Sequence, residues 1–242
     1  MPDLSKRAST IERMDDLDVS GSDLRQALSE LEGINYALGG NYVTLKAIAM
    51  VMERYPHLRY LRIADVGCGS GDMLKRIRRM MEKRKMEAEL SGFDANPNVV
   101  KYAMEHTPEP CRISYAAVNI FSDDFMNRKF DIVTGTLFFH HFTNDQLAHF
   151  FKKMRDRTSL AIVINDIHRH WFAYYAIKIL TRIFSRSSMV KHDAPVSVLR
   201  AFKKAELVQI LRMAGLHDYR IKWCWAFRWQ VVVWLKSAKS PG

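Results

Sequence analysis

The sequence predicts an α/β domain, a mainly parallel sheet of seven strands covered on both faces by helices. Three observations carry that reading. From residue 61 onward, short β-branched runs alternate with charged, helix-periodic stretches, the rhythm of right-handed β-α-β crossovers. A glycine cluster, Gly67-Cys68-Gly69-Ser70-Gly71, falls between the first of those strands and the helix after it. A chain of 242 residues, 48% of them hydrophobic, is large enough to bury one sizeable core.

The elements follow in order. No proline interrupts the chain between Pro2 and Pro56, and the first sixty residues read as helical. Ser20, Ser22 and Asp23 offer capping side chains ahead of Leu24, Ala27, Leu28 and Leu31, whose spacing marks an amphipathic helix that Gly33 closes. Leu38-Gly39-Gly40-Asn41 makes a turn cheap, and residues 43–52 resume a helical pattern that Pro56 ends. Residues 1–58 are therefore expected to form an N-terminal helical cap on a domain spanning residues 59–242. Strands are expected at residues 61–66, 89–93, 113–118, 130–136 and 160–165, with helices at 72–85, 97–106 and 145–154 between them. The rhythm then breaks. Residues 171–184 form an aromatic amphipathic helix inside an insertion of about 168–202, residues 185–188 and 192–195 read as polar loop, and residues 203–214 return to helix before Gly215. Residues 219–225 and 229–235, rich in Trp and Val, are close enough to pair as an antiparallel hairpin.

Composition narrows the function. No apolar run reaches the roughly 20 residues of a membrane-spanning helix, and the polar start lacks a secretory signal's apolar core, so a cytoplasmic protein is expected. Cys68, Cys111 and Cys224 form no CxxC pair, which points away from a disulfide framework and a zinc site; no metal is expected. The net charge of +11 is uneven. Acidic and basic side chains balance over residues 1–167, so the whole excess falls in residues 168–242, where only Asp193, Glu206 and Asp218 are acidic. Such a segment suits a solvated face, an anionic lipid surface, an acidic substrate or nucleic acid.

The glycine cluster is the strongest chemical signal, because glycines at a strand-to-helix turn let backbone N–H groups approach a ligand. Its spacing is GxGxG, not the GxGxxG of dinucleotide binding, and no Gly-Lys-Ser/Thr of a P-loop follows. Gly92-Phe93-Asp94 places a second carboxylate at the end of the next strand.

Asp65-Val66-Gly67-Cys68-Gly69-Ser70-Gly71 resembles the acidic-x-Gly-x-Gly-x-Gly motif of class I S-adenosylmethionine-dependent methyltransferases, and the resemblance runs over residues 61–165. It implies a Rossmann-like fold, with S-adenosylmethionine as cofactor and S-adenosylhomocysteine as product. It also implies a cofactor site made of Asp65, Gly67, Cys68, Gly69 and Gly71, Asp94 on the ribose hydroxyls, Ala95 beside them, Asn119 and Ile120 at the adenine, and Thr136 near the methyl. Residues 12–16, 34–40, 166–170 and 184–192 look like the ubiquinone/menaquinone type of small-molecule methyltransferase, including those of phenolic polyketide pathways. That implies a small lipophilic or phenolic acceptor, methylated on oxygen and less readily on ring carbon. Neither an Asn-Pro-Pro-Tyr type motif nor a Pro-Cys pair, the marks of base methylation, is present.

His140-His141, at the carboxyl end of the fourth strand, is the candidate base for deprotonating a phenol; shaping the pocket is the alternative role. Tyr36 and Tyr42 of the cap, with Trp171, Tyr174, Tyr175, Arg186 and His192 of the insertion, are the candidate acceptor-binding residues. Two further readings stand beside this one. The basic last third could dock RNA for methylation, though no RNA-binding module is recognisable and no nucleic-acid partner is expected. Alternatively, residues 171–184 could lie on the inner face of a membrane, with or without catalysis. Monomer and homodimer are both left open.

Overall fold

The computed structural model describes residues 2–235. The chain first makes a 3-10 turn at Arg13–Asp15, then α1 (Gly21–Ala37) and α2 (Gly40–Arg54). Five parallel strands follow: β1 (Tyr60–Val66), β2 (Glu87–Asp94), β3 (Ile113–Ala117), β4 (Phe130–Thr136) and β5 (Thr158–Ile167). Between them run α3 (Asp72–Lys83), α4 (Pro97–Glu105), the single turn α5 (Asp123–Met126) and α6 (Asn144–Arg157). The chain continues through α7 (Trp171–Phe184), α8 (Ser188–Arg200) and α9 (Lys204–Met213), and closes with β6 (Tyr219–Cys224) and β7 (Arg228–Trp234).

Seven strands among the described residues form one sheet in the order β3-β2-β1-β4-β5-β7-β6, with β7 antiparallel to both of its neighbours. The order reverses between β1 and β4, and ligands of such sheets gather outside the carboxyl ends of the strands at that switch. The central strands are buried on both faces because α2 and α3 cover one side, with Ile48, Val51, Leu74 and Ile77, while α6 and α9 cover the other, with Phe150, Phe151, Leu207 and Ile210.

Three expectations are corrected. Gly33 does not close α1; the helix runs on to Ala37, and Gly39, at φ +69°, makes the turn instead. Residues 192–195 are not a loop. They lie within α8, whose N-terminus is capped by the Ser187 hydroxyl accepting from Val190 N–H at 3.2 Å. Pro195 costs that helix a backbone donor, but Met189, Val190 and Val198 are buried, and packing outweighs the local penalty. The basic last third is not one face either. Arg169, Arg200 and Arg228 are buried, and Lys236 and Lys239 lie outside the described residues.

Candidate active site

The turn after β1 is shaped by its glycines. Gly67, at φ +65°, has the Phe138 ring where a Cβ would stand, 2.0 Å from its nearest carbon. Gly69, at φ +51°, has nothing within 4 Å of that position, so its backbone faces open space. Asp94, at the end of β2, is turned toward this turn: Oδ2 accepts from Gly69 N–H at 3.4 Å and Oδ1 from Asn96 N–H at 3.1 Å. Asp65 is buried with Oδ1 lacking a partner, and burial, together with Asp72 and Asp94, pushes its carboxyl well above the usual range. Burial likewise raises the Cys68 thiol, which is therefore no nucleophile. An orphaned carboxyl oxygen, an open stretch of bare peptide and the Asp94 carboxyl facing it fit an adenosyl group, whose ribose presents paired hydroxyls.

These groups line one end of a cavity of ≈ 850 Å³, together with Ala95, Asn119, Ile120 and Thr136. That volume lies toward the upper end of the roughly 300–1,000 Å³ usual for ligand pockets, enough for a cofactor and a small acceptor together. Asn119 Oδ1 accepts from Phe121 N–H at 2.9 Å, which leaves it one lone pair for a ligand. Gly71 is not on the wall. The Tyr115 hydroxyl occupies its open side, so this glycine serves the turn and not the ligand. Much of the rest of the lining is apolar: Leu28 and Leu31 of α1, Ala176, Ile177 and Leu180 of α7, and Phe138, whose ring lies against Gly67.

Both histidines border the cavity, in different states. His140 is buried, with Nδ1 2.7 Å from Asp166 Oδ1 and Nε2 3.5 Å from Glu12 Oε1. Burial alone would lower its pKa, but Asp166 and Glu12 outweigh burial and lift it to about 9. At neutral pH His140 is an imidazolium and holds no free electron pair for a base. His141 is the better exposed of the two; its Nδ1 meets Asp15 Oδ1 at 2.5 Å. Burial would raise Asp15, yet His141 and Arg200 hold it well below the carboxylate range. With Asp15 on Nδ1, Nε2 is the ring nitrogen of His141 left for a ligand.

Glu12, His140 and His141 also bring potential metal ligands within 4.8 Å of one another. Arg200 Nη1 lies 3.8 Å from Glu12 Oε1 and bonds Asp15, so a guanidinium already balances these carboxylates. Glu12 and Asp15 are held over the cavity by α8: Ser197 donates to Glu12 Oε2 at 2.7 Å, and Asp193 accepts the N–H groups of Arg13 and Met14 at 2.9 and 3.0 Å.

None of the seven expected acceptor-binding residues lines the cavity. Tyr36 and Tyr42 are exposed, the former under the Arg76 guanidinium. Trp171 and Tyr175 face outward from α7, Tyr174 packs against Tyr175, and the lining comes from Phe172, Ala173, Ala176, Ile177 and Leu180 instead. The helix was read correctly and its face was not, because α7 is apolar nearly all round. Arg186 lends only its backbone N–H, to Glu30, and His192 bonds its neighbour Asp193. Sequence reasoning assigns no site role to Glu12, Asp15, Asp166 or Arg200, although residues 12–16 and 166–170 carry part of the family resemblance.

Residues 63–159 match the family model described as a methyltransferase domain. No curated protein matches the chain. Among solved structures, the chain is similar to a putative O-methyltransferase from Nostoc punctiforme, with a TM-score of 0.60 and 16% identity over 87% of this chain and 59% of that one. Human N-acetylserotonin methyltransferase in complex with S-adenosylmethionine gives 0.59 and 16%, over 88% of this chain and 55% of that one. The plantazolicin methyltransferase in complex with S-adenosylhomocysteine gives 0.58 and 16%, over 83% and 79%. The chain thus spans little more than half the length of the first two, and the likeness is one of fold.

Proposed function

From a methyltransferase domain on the class I fold as premise, we propose that this chain transfers a methyl group from S-adenosylmethionine to an oxygen of a small lipophilic, phenolic acceptor. One observation carries the reading: a single cavity joins the polar cradle of Asp65, Gly69 and Asp94 to an apolar chamber, with the Asp15–His141 pair on its wall. Bound S-adenosylmethionine supplies an activated methyl on a sulfonium. The protein's part is alignment and proton removal. Asp94 offers two oxygens to a pair of hydroxyls, and Gly69 offers bare peptide. His141, oriented by Asp15, takes the phenolic proton at Nε2. His140 stays protonated and holds the Glu12 and Asp166 carboxylates together, which fixes the position of its neighbour. Leu28, Leu31, Phe138 and α7 exclude water from the chamber. Incubation with labelled cofactor and a panel of phenols, read by mass spectrometry, tests this; no methylated product from any phenol while cofactor binds would contradict it.

A second reading, contact with a membrane surface, is favoured by one feature. Trp171, Tyr175, Ile179 and Ile183 recur every fourth residue of α7 and are 37–66% exposed, beside Lys178 and Arg182. No helix of the described residues is long and apolar enough to cross a membrane. A lipid-facing α7 would let an acceptor dissolved in the bilayer enter under the same helix that roofs the chamber. Flotation with anionic vesicles but not neutral ones is the expected result.

A further inference from the structure

Three arginines are buried among the described residues, and two of them have carboxylates. Arg169 reaches both oxygens of Glu206, at 2.6 and 3.0 Å. Arg200 bonds Asp15 and lies 3.8 Å from Glu12. Arg228, 4% exposed at the start of β7, makes no ion pair with any described residue. Its guanidinium donates only to neutral amides, Asn35 Oδ1 at 2.8 Å and Asn165 Oδ1 at 3.5 Å. Asp166 is the acid that acts on it, but His140 and the Ile167 N–H already occupy both of that residue's oxygens. Burial lowers its pKa only to about 10, so the group is cationic at neutral pH. A buried cation without a counter-charge is costly. The fold makes room for it and its amide partner: a Cβ on Gly40 would lie 2.1 Å from Asn35 Oδ1, 2.6 Å from Cζ and 2.7 Å from Nη2. Arg228 also lines the cavity, beside Asn35, Thr136 and Phe227.

We propose that Arg228, with Asn35 and Asn165, forms a carboxylate subsite in this cavity, and that a ligand carboxylate completes the pairing that Arg169 and Arg200 obtain from the protein. A planar fork of five N–H donors, of which Asn35 and Asn165 take two, suits two parallel hydrogen bonds to such a group. Two ligands expected from the proposed function could bring the carboxylate: the amino-acid end of the cofactor, or an acidic phenol as acceptor. The assignment of those two sources rests on the methyl-transfer reading; the subsite itself does not.

Calorimetry with two matched pairs of probes separates these cases. S-adenosylhomocysteine carries a carboxylate that 5′-methylthioadenosine lacks, and 4-hydroxybenzoate carries one that its methyl ester lacks. If the cofactor supplies the group, Arg228→Gln weakens S-adenosylhomocysteine by about 10- to 100-fold and leaves 5′-methylthioadenosine unmoved. If the acceptor supplies it, the same loss appears for 4-hydroxybenzoate against its ester. Gly40→Ala, which pushes Asn35 and the guanidinium aside without removing either, gives the same loss of preference and replaces Arg228→Gln should that variant not fold. A wild type that binds neither nucleoside overturns the methyl-transfer reading, and the benzoate pair then judges the subsite alone. The subsite is overturned if the wild type prefers neither carboxylate to its uncharged counterpart, or if a folded Arg228→Gln protein keeps the wild-type preference.

Discussion

Raising the pH should destabilise this protein through His140. His140 has an ordinary imidazole pKa near 6.5 in the unfolded chain and about 9 in the folded one, where Asp166 and Glu12 outweigh burial. A folded pKa above the unfolded value means stability that is fully present below pH 6.5 and lost as pH rises through 9. The rise corresponds to about 3 kcal/mol, or roughly 6–12 °C in melting temperature for a domain of this size. Thermal melts by circular dichroism between pH 6 and pH 10 would show the decline, with His140→Gln as the comparison. That variant should begin less stable, since it takes the imidazolium from the buried Asp166 carboxylate and leaves Glu12 to Arg200, and should lack the wild-type decline centred near pH 9. Wild-type stability that is flat across this interval, or a decline of the same size in His140→Gln, would refute the assignment of a protonated His140.

Three further outcomes follow from the site. Asp94→Ala removes two charge-accepting oxygens from the cradle and should weaken S-adenosylhomocysteine about 100-fold by calorimetry, with little change in melting temperature. His141→Gln should lower kcat about 100-fold while cofactor affinity stays within a factor of two, the split expected of a base that touches only the acceptor. Ile179→Glu with Ile183→Glu, on the outward stripe of α7, should abolish flotation with anionic vesicles and leave turnover of a water-soluble phenol intact.

The sheet was legible in the sequence because each parallel strand is a short β-branched run ended by a polar or glycine residue, and its helices carry their own periodicity. Asp65, Gly69 and Asp94 were legible for the same reason: each sits at a strand end, where local order alone places a side chain at the crevice. The other half of the site was not. Asp15 meets His141 across 126 residues, and Asn35 meets Arg228 across 193, distances over which no spacing rule operates. The outer face of α7 was mistaken for the inner one because aromatic residues surround the helix, and α8 was hidden by Pro195 and a run of polar residues. Gly40 looked like one half of a turn, yet its lack of a side chain also serves a guanidinium donated from the far end of the chain.

A crystal structure of the protein with S-adenosylhomocysteine tests the central claim most directly. The account predicts the ribose hydroxyls on Asp94, the adenosyl group against Gly69, and the sulfur facing the chamber that His141 borders. A nucleoside bound elsewhere, or bound in this cavity without touching Asp94, would contradict it.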